Sequence, residues 1–328
     1  MSLTNGTLKA GVIGTGVMGR NHVRIYSEIS KVDLVGVTDV NEAAAKEVAE
    51  TFGTQALTLD ELIDQADLVS IAVPTQFHYE VAKKCIENKV HVLIEKPFVD
   101  DLDQGRELIE LANEHGVIMQ VGHIERFNPA VAALLELIGE MDVIAIEAHR
   151  LGPPLARVIE DSVVMDLMIH DIDILLSLVD SPIRKLSAMG ARGVQHATAQ
   201  LAFENGVIGV LSASRLTQKK VRTLNVTTRE CQIEVDYIDQ TVRIHRQFHP
   251  QYTDESGKMR QRFESVTERP LVETGEPLKR ELKAFIDAVT TGQQPLVTAE
   301  QALRAIEVAR QIDALAAASE VKAEVLTE

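Results

Sequence analysis

The N-terminal hundred-odd residues constrain the fold most, through a glycine-rich turn between two short apolar runs. Residues 8–13 are apolar and lead directly into GTGVMG, and an amphipathic helix follows before a second apolar run that ends at Asp39. Gly14, Gly16 and Gly19 would provide a tight turn, a close approach of backbone to a pyrophosphate, and close helix packing. This strand, turn, helix and strand order predicts a βαβ unit that binds a dinucleotide at the helix N-terminus.

Asp39 bears on which dinucleotide is bound. It follows Gly19 by 20 residues, the position at which a carboxylate accepts hydrogen bonds from the adenosine ribose. A carboxylate there would repel a 2′-phosphate, and no arginine follows it immediately, so the sequence favours NAD over NADP. Val17 and Met18 complete the expected cofactor turn. The alternative is that the glycines only allow a loop to turn and that Asp39 caps a helix.

The alternation of strands and helices continues to about residue 123. We predict helices at about 42–52, 77–88 and 103–115, and strands at 68–73, 90–94 and 117–121. This order implies right-handed crossovers and a doubly wound parallel sheet in a Rossmann domain, residues 1–123. Ligands bind such sheets at the carboxyl ends of the strands, which here carry Pro74-Thr75, Glu95-Lys96-Pro97 and Gly122-His123.

The Glu95-Lys96-Pro97 run is the second informative feature. A lysine that directly follows a buried strand could donate a hydrogen bond to an oxygen that gains negative charge during hydride transfer. Taken alone, this tripeptide is more often a solvated turn.

A second domain, residues 124–328, has a different pattern. Short β runs are predicted at about 143–148, 183–188, 198–203, 207–212, 223–228, 231–236 and 241–246. They indicate a large, mostly antiparallel, open-faced sheet in an α+β domain, whose uncovered face a second copy of the chain could cover. We predict an irregular loop at 248–257 and helices at about 278–290 and 299–317, which can pack back on the Rossmann domain.

An apolar run at residues 163–179, VVMDLMIHDIDILLSLV, contains Asp166, His170 and Asp173. Their i,i+4 and i,i+3 spacing would put all three on one face of a helix. Such groups cost free energy in an apolar helix unless they are paired, so they support either a structural network or a proton-transfer site.

Composition excludes several classes of function. Asp and Glu outnumber Lys and Arg by 49 to 33, and the net charge of −16 disfavours binding to nucleic acid or to an anionic membrane. We find no leader and no apolar run of membrane-spanning length, so we expect a cytoplasmic protein. Scattered histidines and two distant cysteines give no metal-ligand spacing, and no metal is expected.

Taken together, GTGVMG, Asp39, VPTQFHYEVA, HVLIEKP and MDLMIHDID resemble, in this order, the Gfo/Idh/MocA family of NAD(P)-dependent oxidoreductases. The resemblance covers nearly the whole chain. It implies a Rossmann domain followed by an open-sheet α/β domain, often assembled into dimers or tetramers through those sheets.

The resemblance also implies site residues. Lys96, Asp166 and His170 match the family's catalytic trio, with His170 as general base and Lys96 as the group that stabilises the alkoxide. Asp173 matches a position that contacts the substrate or that supports a residue in contact with it. The positions expected near the nicotinamide half of the cofactor are Pro74, Thr75, His78 and Glu95.

A narrower resemblance concerns GHIERFNPAV at 122–131 and RLGPP at 150–154. These runs are similar to the branch that contains UDP-N-acetylglucosamine 3-dehydrogenases, which oxidise a sugar-nucleotide hydroxyl. Arg126, Asn128, Arg150 and Arg157 would then contact a diphosphate and a sugar, or the arginines form ordinary ion pairs. Rival functions are an inositol or free-sugar dehydrogenase, an NAD-dependent glycosidase, and a non-catalytic NAD-binding regulator.

Overall fold

The computed structural model describes residues 7–139, 141–154, 161–253, 256 and 258–320. Its contacts divide the chain into two compact units. The first comprises the residues up to Phe127 together with Glu276–Glu307, and the second comprises Asn128–Gly275 and the residues from Val308 onward. The division lies four residues beyond the predicted boundary at 123, and the helix Pro277–Thr291 belongs to the first unit.

The first unit contains a five-stranded parallel sheet in the order β2-β1-β3-β4-β5. The strands are β1 Leu8–Ile13, β2 Val32–Thr38, β3 Leu68–Ile71, β4 His91–Glu95 and β5 Met119–Gly122. β1, which lies between β2 and β3, is buried along nearly its whole length. The predicted doubly wound sheet is confirmed.

Helices cover this sheet, and their ends follow from local sequence. They are α1 Val17–Glu28, α2 Glu42–Phe52, α3 Leu59–Gln65, α4 His78–Glu87, α5 Leu102–His115 and α8 Pro277–Thr291. Asn41 caps α2 through a hydrogen bond from the Ala44 amide. Gly53 and Gly116 end α2 and α5 in the left-handed conformation, which glycine adopts at low cost.

The second unit is built on an eight-stranded sheet in the order β15-β12-β11-β10-β6-β9-β8-β7. The strands are β6 Val143–Leu151, β7 Ile183–Ala191, β8 His196–Phe203, β9 Ile208–Ser214, β10 Val221–Thr228, β11 Gln232–Asp236, β12 Thr241–Phe248 and β15 Glu264–Glu268. Every neighbouring pair is antiparallel except β6 and β9. The predicted mostly antiparallel sheet is confirmed.

Two helices of the second unit, α6 Pro129–Ile138 and α7 Ile169–Leu178, pack against this sheet. Alternate residues of β8 to β12 are buried, as expected for a sheet covered on one face. The C-terminal end of α9, Ala299–Ala318, packs on β7, where Ser319 Oγ accepts a hydrogen bond from the Gly190 amide at 3.0 Å.

The prediction of an irregular loop at 248–257 is wrong in part. A short antiparallel hairpin forms there from β13 Gln251–Thr253 and β14 Met259–Gln261. The described residues of β14 and all of β15 are exposed, so neither strand has the alternation of apolar and polar residues that reveals a half-buried strand.

Among the described residues, no helix combines the length and the apolar character needed to cross a membrane.

Candidate active site

The glycine-rich turn between β1 and α1 is closely packed on one side and open on the other. Gly14 has φ +94°, and a Cβ there would lie 2.6 Å from the Ala72 carbonyl oxygen. A Cβ on Gly19 would lie 1.8 Å from the Gly14 carbonyl oxygen. Neither position can carry a side chain without moving backbone.

Gly16 lies on the open side of this turn, since no atom lies within 4 Å of a Cβ built on it. Val17, the next residue, is exposed, and Met18 is half-buried against the core. The N-terminus of α1 therefore begins beside open space, and a helix N-terminus favours an anion. This arrangement fits the pyrophosphate of a dinucleotide.

Asp39 lies at the carboxyl end of β2 and is bound to the glycine turn. Its Oδ2 accepts hydrogen bonds from the Thr15 amide at 2.6 Å and from Thr15 Oγ1 at 2.9 Å, and its Oδ1 accepts one from the Asn41 amide at 2.8 Å. Partial burial by itself would raise the pKa of Asp39, but these hydrogen bonds bring the pKa below its usual value. The carboxylate is thus held ionised next to the turn.

An open pocket lies beside Asp39, as an adenosine site requires. Its lining includes apolar side chains and one lysine, namely Val40, Ala45, Ala56, Leu57 and Lys46. Lys46 Nζ lies 3.7 Å from Glu42 Oε2, and both side chains are largely exposed. The pocket offers an apolar surface for a base next to a carboxylate suited to ribose hydroxyls.

The loop that contains Lys96 is held in place by His78. The His78 ring is buried, with Nδ1 3.0 Å from the Pro97 carbonyl oxygen and Nε2 2.9 Å from the Val73 carbonyl oxygen. His78 therefore ties the segment after β4 to the segment after β3. Pro74 is exposed, Thr75 is half-buried, and Lys96 is half-buried at the start of the loop.

Glu95, the last residue of β4, is buried beneath α1. Its Oε1 is 2.8 Å from Nε2 of His22, a residue with no solvent exposure. This partner gives Glu95 a role inside the first unit, and its predicted contact with a cofactor stays a prediction.

In the second unit, the segment that carries Asp166 is wound more loosely than an α-helix. Val164–Met168 forms a π-helical turn that runs directly into α7. Single π-helical turns occur frequently at functional sites. Asp166 lies in this turn and His170 in the first turn of α7, so the two predicted catalytic residues of this unit belong to one continuous helical segment.

Arg215 holds Asp166 in place. Arg215 Nη2 donates a hydrogen bond to Asp166 Oδ2 at 2.7 Å, while Nη1 donates to the Asp161 carbonyl oxygen at 2.8 Å and to Gln195 Oε1 at 3.2 Å. The side chain of Arg215 is 6% exposed and that of Asp166 is 27% exposed. A buried guanidinium thus fixes a carboxylate that solvent can reach.

The four ionisable residues of this helical segment differ in exposure. His170 is half-buried, whereas Asp173 is 2% exposed. Asp171, which the sequence analysis did not single out, is also 2% exposed. Asp166 and His170 are therefore accessible to solvent, while Asp171 and Asp173 are enclosed.

Arg150 is enclosed by a structural network. Its guanidinium donates from Nε to Asp171 Oδ2 at 2.7 Å and from Nη2 to Asp171 Oδ1 at 2.9 Å, and it stacks over the Tyr237 ring at 5.1 Å. Arg150 is 1% exposed. In this structure Arg150 forms a bidentate ion pair that is buried rather than on the surface, and its predicted contact with a diphosphate stays a prediction.

The other predicted substrate residues are also enclosed or lie outside the described chain. Asn128 caps α6 through a hydrogen bond from the Ala130 amide and donates to the Tyr237 carbonyl oxygen. Arg126 is buried. Arg157 lies outside the described residues, and its substrate contact stays a prediction.

Sequence reasoning missed His22, Asp171 and Arg215, each of which binds a predicted site residue. Asp171 adjoins His170 in the sequence and was within reach of the same pattern. His22 and Arg215 are 73 and 49 positions from their partners, and no local pattern joins them. Each of these two pairings forms only in the folded chain, where residues distant in the sequence come into contact.

Comparison with family models agrees with both units. Residues 8–123 match the model of an oxidoreductase family with an NAD-binding Rossmann fold, and residues 138–234 match the GFO/IDH/MocA C-terminal domain.

Individual relatives are similar over most of the chain. A UDP-N-acetylglucosamine 3-dehydrogenase from Acidithiobacillus ferrooxidans is 36% identical over 73% of this chain and 77% of its own length. A crystal structure named for that activity, GnnA from the same organism, has a TM-score of 0.86 at 30% identity and covers 95% of this chain and 98% of its own. A myo-inositol 2-dehydrogenase from Thermotoga maritima is 27% identical over 91% of this chain and 93% of its own length.

Proposed function

Because the chain belongs to the Gfo/Idh/MocA family of NAD-binding oxidoreductases, we propose that it oxidises the C3 hydroxyl of a UDP-N-acetyl amino sugar, with NAD as the hydride acceptor. Membership makes the chain a nicotinamide-dependent dehydrogenase of CH–OH groups. The observation that carries the finer proposal is the 36% identity with a UDP-N-acetylglucosamine 3-dehydrogenase.

His170 and Lys96 are the proposed proton-handling groups. When bound, the nicotinamide ring supplies the hydride acceptor. His170 takes the hydroxyl proton as general base, since an imidazole is neutral and basic near pH 7 by its ordinary titration range. Lys96 donates a hydrogen bond to the oxygen as negative charge develops on it. The protein residues thus remove the proton and stabilise the oxygen.

Asp166 is proposed to orient the imidazole of His170 and to offset its positive charge after proton transfer. Support comes from the pairing with Arg215, which fixes the carboxylate in the turn preceding His170. The predicted contacts of Arg150 and Asn128 with a diphosphate and a sugar are separate from this proton transfer and stay predictions.

The substrate assay compares UDP-N-acetylglucosamine with myo-inositol, each with NAD, by the absorbance of NADH. Turnover of the sugar nucleotide and not of inositol is expected. Reduction of the product with borodeuteride, followed by NMR, should place deuterium at C3. The second candidate, an inositol dehydrogenase, has the support of the Thermotoga relative that covers 91% of this chain, and turnover of inositol alone would establish it.

Lys96→Met tests the mechanism. Loss of the donor to the developing alkoxide should lower kcat by about 10²- to 10³-fold, because such donors act mainly in the transition state. Affinity for NADH, measured by fluorescence titration, should stay within about threefold. Lys83→Met is the matched control, since Lys83 pairs with Glu107 on the surface. Turnover by Lys96→Met at the wild-type rate would refute the assignment.

Asp39→Asn tests the preference for NAD. Removing the negative charge should reduce the repulsion of a 2′-phosphate, so the ratio of kcat/KM for NAD to that for NADP should fall by about tenfold or more. Because the pKa of Asp39 is depressed, the carboxylate is charged at all pH values above its ordinary range, and the wild-type ratio should stay constant across neutral pH. A wild-type enzyme that prefers NADP would contradict the proposal.

A homo-oligomer is proposed as well, a dimer or tetramer formed through the sheet of the second unit. Support comes from the sheet of the second unit. Helices α6 and α7 pack on one face of it, the face that carries the buried alternate residues. Light scattering on the purified chain should give the mass of two or four copies. A monomer at micromolar concentration would exclude the proposal.

A further inference from the structure

The turn that joins β7 to β8 has an unusual backbone. Three consecutive residues, Arg192, Gly193 and Val194, have positive φ angles of +57°, +66° and +53°. Glycine adopts this left-handed region at little cost, whereas valine rarely does, because its branched Cβ crowds the backbone there. A residue in such a conformation persists only where the surrounding structure holds it. The contacts of Val194 and its neighbours must therefore fix the turn.

These contacts come from the hairpin and from the end of the second unit. The Gln195 amide donates a hydrogen bond to the Ala191 carbonyl oxygen at 3.0 Å, which closes the turn. The Gly193 amide donates to Oε1 of Glu320, two residues after α9, at 2.6 Å. The side chain of Val194 is buried, with 6% exposure. The turn is thus a fixed point of the second unit.

Val194 connects this turn to the helical segment that carries Asp166. The Val163 amide donates a hydrogen bond to the Val194 carbonyl oxygen at 3.0 Å. Val163 directly precedes the π-helical turn Val164–Met168. Amides at the start of a helix have no acceptor inside the helix and need one elsewhere. The strained residue supplies such an acceptor and thereby fixes the point at which the segment begins.

Gln195 makes a second connection to the same segment, through Arg215. Its carbonyl oxygen accepts a hydrogen bond from the Arg215 amide at 3.0 Å, and its Oε1 accepts one from Arg215 Nη1 at 3.2 Å. The same guanidinium donates from Nη2 to Asp166 Oδ2 at 2.7 Å. Gln195 therefore holds both the main chain and the side chain of the arginine that fixes Asp166.

We propose that Gln195 is a positioning residue for Asp166, which acts through Arg215, and that the left-handed turn before it is the rigid base for this contact. The inference rests on the proposed roles of Asp166 and His170. Val194 fixes the start of the helical segment and Gln195 fixes the guanidinium. A displacement of either would move the Asp166 carboxylate relative to the imidazole that it is proposed to orient.

The first arm of the test measures hydrogen exchange without any substrate. Val194→Gly replaces the strained residue by one with far greater backbone freedom, so the turn should open more often. Exchange in a peptide that covers residues 162–168, followed by mass spectrometry, should become about tenfold faster. Exchange in β11, four places from β8 in the sheet, should stay unchanged. Equal exchange of residues 162–168 in Val194→Gly and the wild type would overturn the inference.

The second arm measures steady-state kinetics with UDP-N-acetylglucosamine and NAD. Gln195→Met keeps the length of the side chain and removes the acceptor. Its kcat should fall by about tenfold while KM for both substrates stays within about twofold, because the geometry of reaction is disturbed and binding is not. Gln195→Glu keeps an acceptor oxygen, so its kcat should return to within about threefold of the wild type. A kcat for Gln195→Glu as low as that of Gln195→Met would overturn the inference.

Gln240→Met is the matched control. Gln240 is also half-buried, follows another turn between strands of the second unit, and has a positive φ of +51°. Its side chain accepts from the Gly275 amide and donates to the Gly275 carbonyl oxygen, each at 2.9 Å. Loss of these two hydrogen bonds should lower Tm and leave kcat unchanged. A fall in kcat equal to that of Gln195→Met would show that the loss of any such contact has this effect, which contradicts the inference.

A double variant tests the route through Arg215. Because residues that act through one another are not additive, Gln195→Met/Arg215→Met should have the kcat of Arg215→Met alone. Losses that multiply would overturn the inference, as would a wild-type kcat for Gln195→Met. A wild-type kcat for Asp166→Asn would instead count against the proposed function of Asp166. The hydrogen-exchange arm would still decide whether the turn holds the segment, since it contains no sugar and no cofactor.

Discussion

Two arginine–aspartate pairs of the second unit have the same chemistry and different surroundings. In Arg150–Asp171 both side chains are 2% exposed, and the contact is bidentate. In Arg215–Asp166 the arginine is 6% exposed and the aspartate is 27% exposed. One pair is enclosed on both sides, and the other presents its carboxylate toward solvent.

The difference shows how burial separates a structural pair from one that can serve chemistry. A fully enclosed bidentate pair exposes almost no surface to solvent, and Tyr237 covers the Arg150 guanidinium as well. Asp166 has a second oxygen and an accessible surface beyond its bond to Arg215. The residue identities alone do not distinguish the pairs, because both are arginine with aspartate.

The largest effect is expected for Arg150→Met. The substitution leaves the Asp171 carboxylate buried without its guanidinium, and loss of one partner of a buried pair costs about 3–5 kcal/mol in the free energy of unfolding. Urea denaturation measures this cost. The double variant Arg150→Met/Asp171→Leu should recover most of the lost stability, since no buried charge then remains. If the single variant is as stable as the wild type, the pair does not hold the second unit together.

For Arg215→Met we expect a smaller loss of stability than for Arg150→Met and a larger loss of enzymatic activity. Asp166 keeps contact with solvent, so the free energy of unfolding should fall by only about 1–2 kcal/mol. The carboxylate loses its fixed position near His170, and kcat should fall by about 10- to 100-fold with KM for NAD nearly unchanged.

Arg215→Lys provides the matched comparison for activity. A lysine keeps the charge but cannot bind Asp166, Gln195 and the Asp161 carbonyl oxygen with one rigid fork, so partial recovery of kcat is expected. Equal kcat in the wild type and Arg215→Met would show that Asp166 needs no fixed position, and the contrast with the enclosed pair would lose its functional meaning.

The sequence predicted the parallel sheet, the antiparallel sheet and most helix positions, because hydrophobic periodicity and glycine turns are local signals. It also singled out Asp166 and His170, because polar residues stand out in an apolar run, and their roles stay predictions. It named Arg150 as a substrate contact and did not name Arg215. Arg150 lies near the end of β6 and Arg215 directly follows β9, and both would be read as arginines at a strand end.

Tertiary contacts decide the roles of the two arginines. Asp171 is 21 positions from Arg150, and Asp166 is 49 positions from Arg215, and the exposure of each pair depends on what packs around it. β14 and β15 were missed for a related reason, since strands that are exposed on both faces have no burial pattern in the sequence.

The smallest effect is expected for a third pair on the same sheet, Arg243–Glu234. Arg243 on β12 lies directly opposite Glu234 on β11, and Arg243 Nη1 is 3.2 Å from Glu234 Oε1. The two side chains are 35% and 34% exposed. Water already solvates both groups, so Arg243→Met should change the free energy of unfolding by about 0–1 kcal/mol. Urea denaturation at low and high salt should show the small contribution disappear as salt screens it. A loss as large as that of Arg150→Met would mean that charge pairing, rather than enclosure, sets the stability of all three pairs.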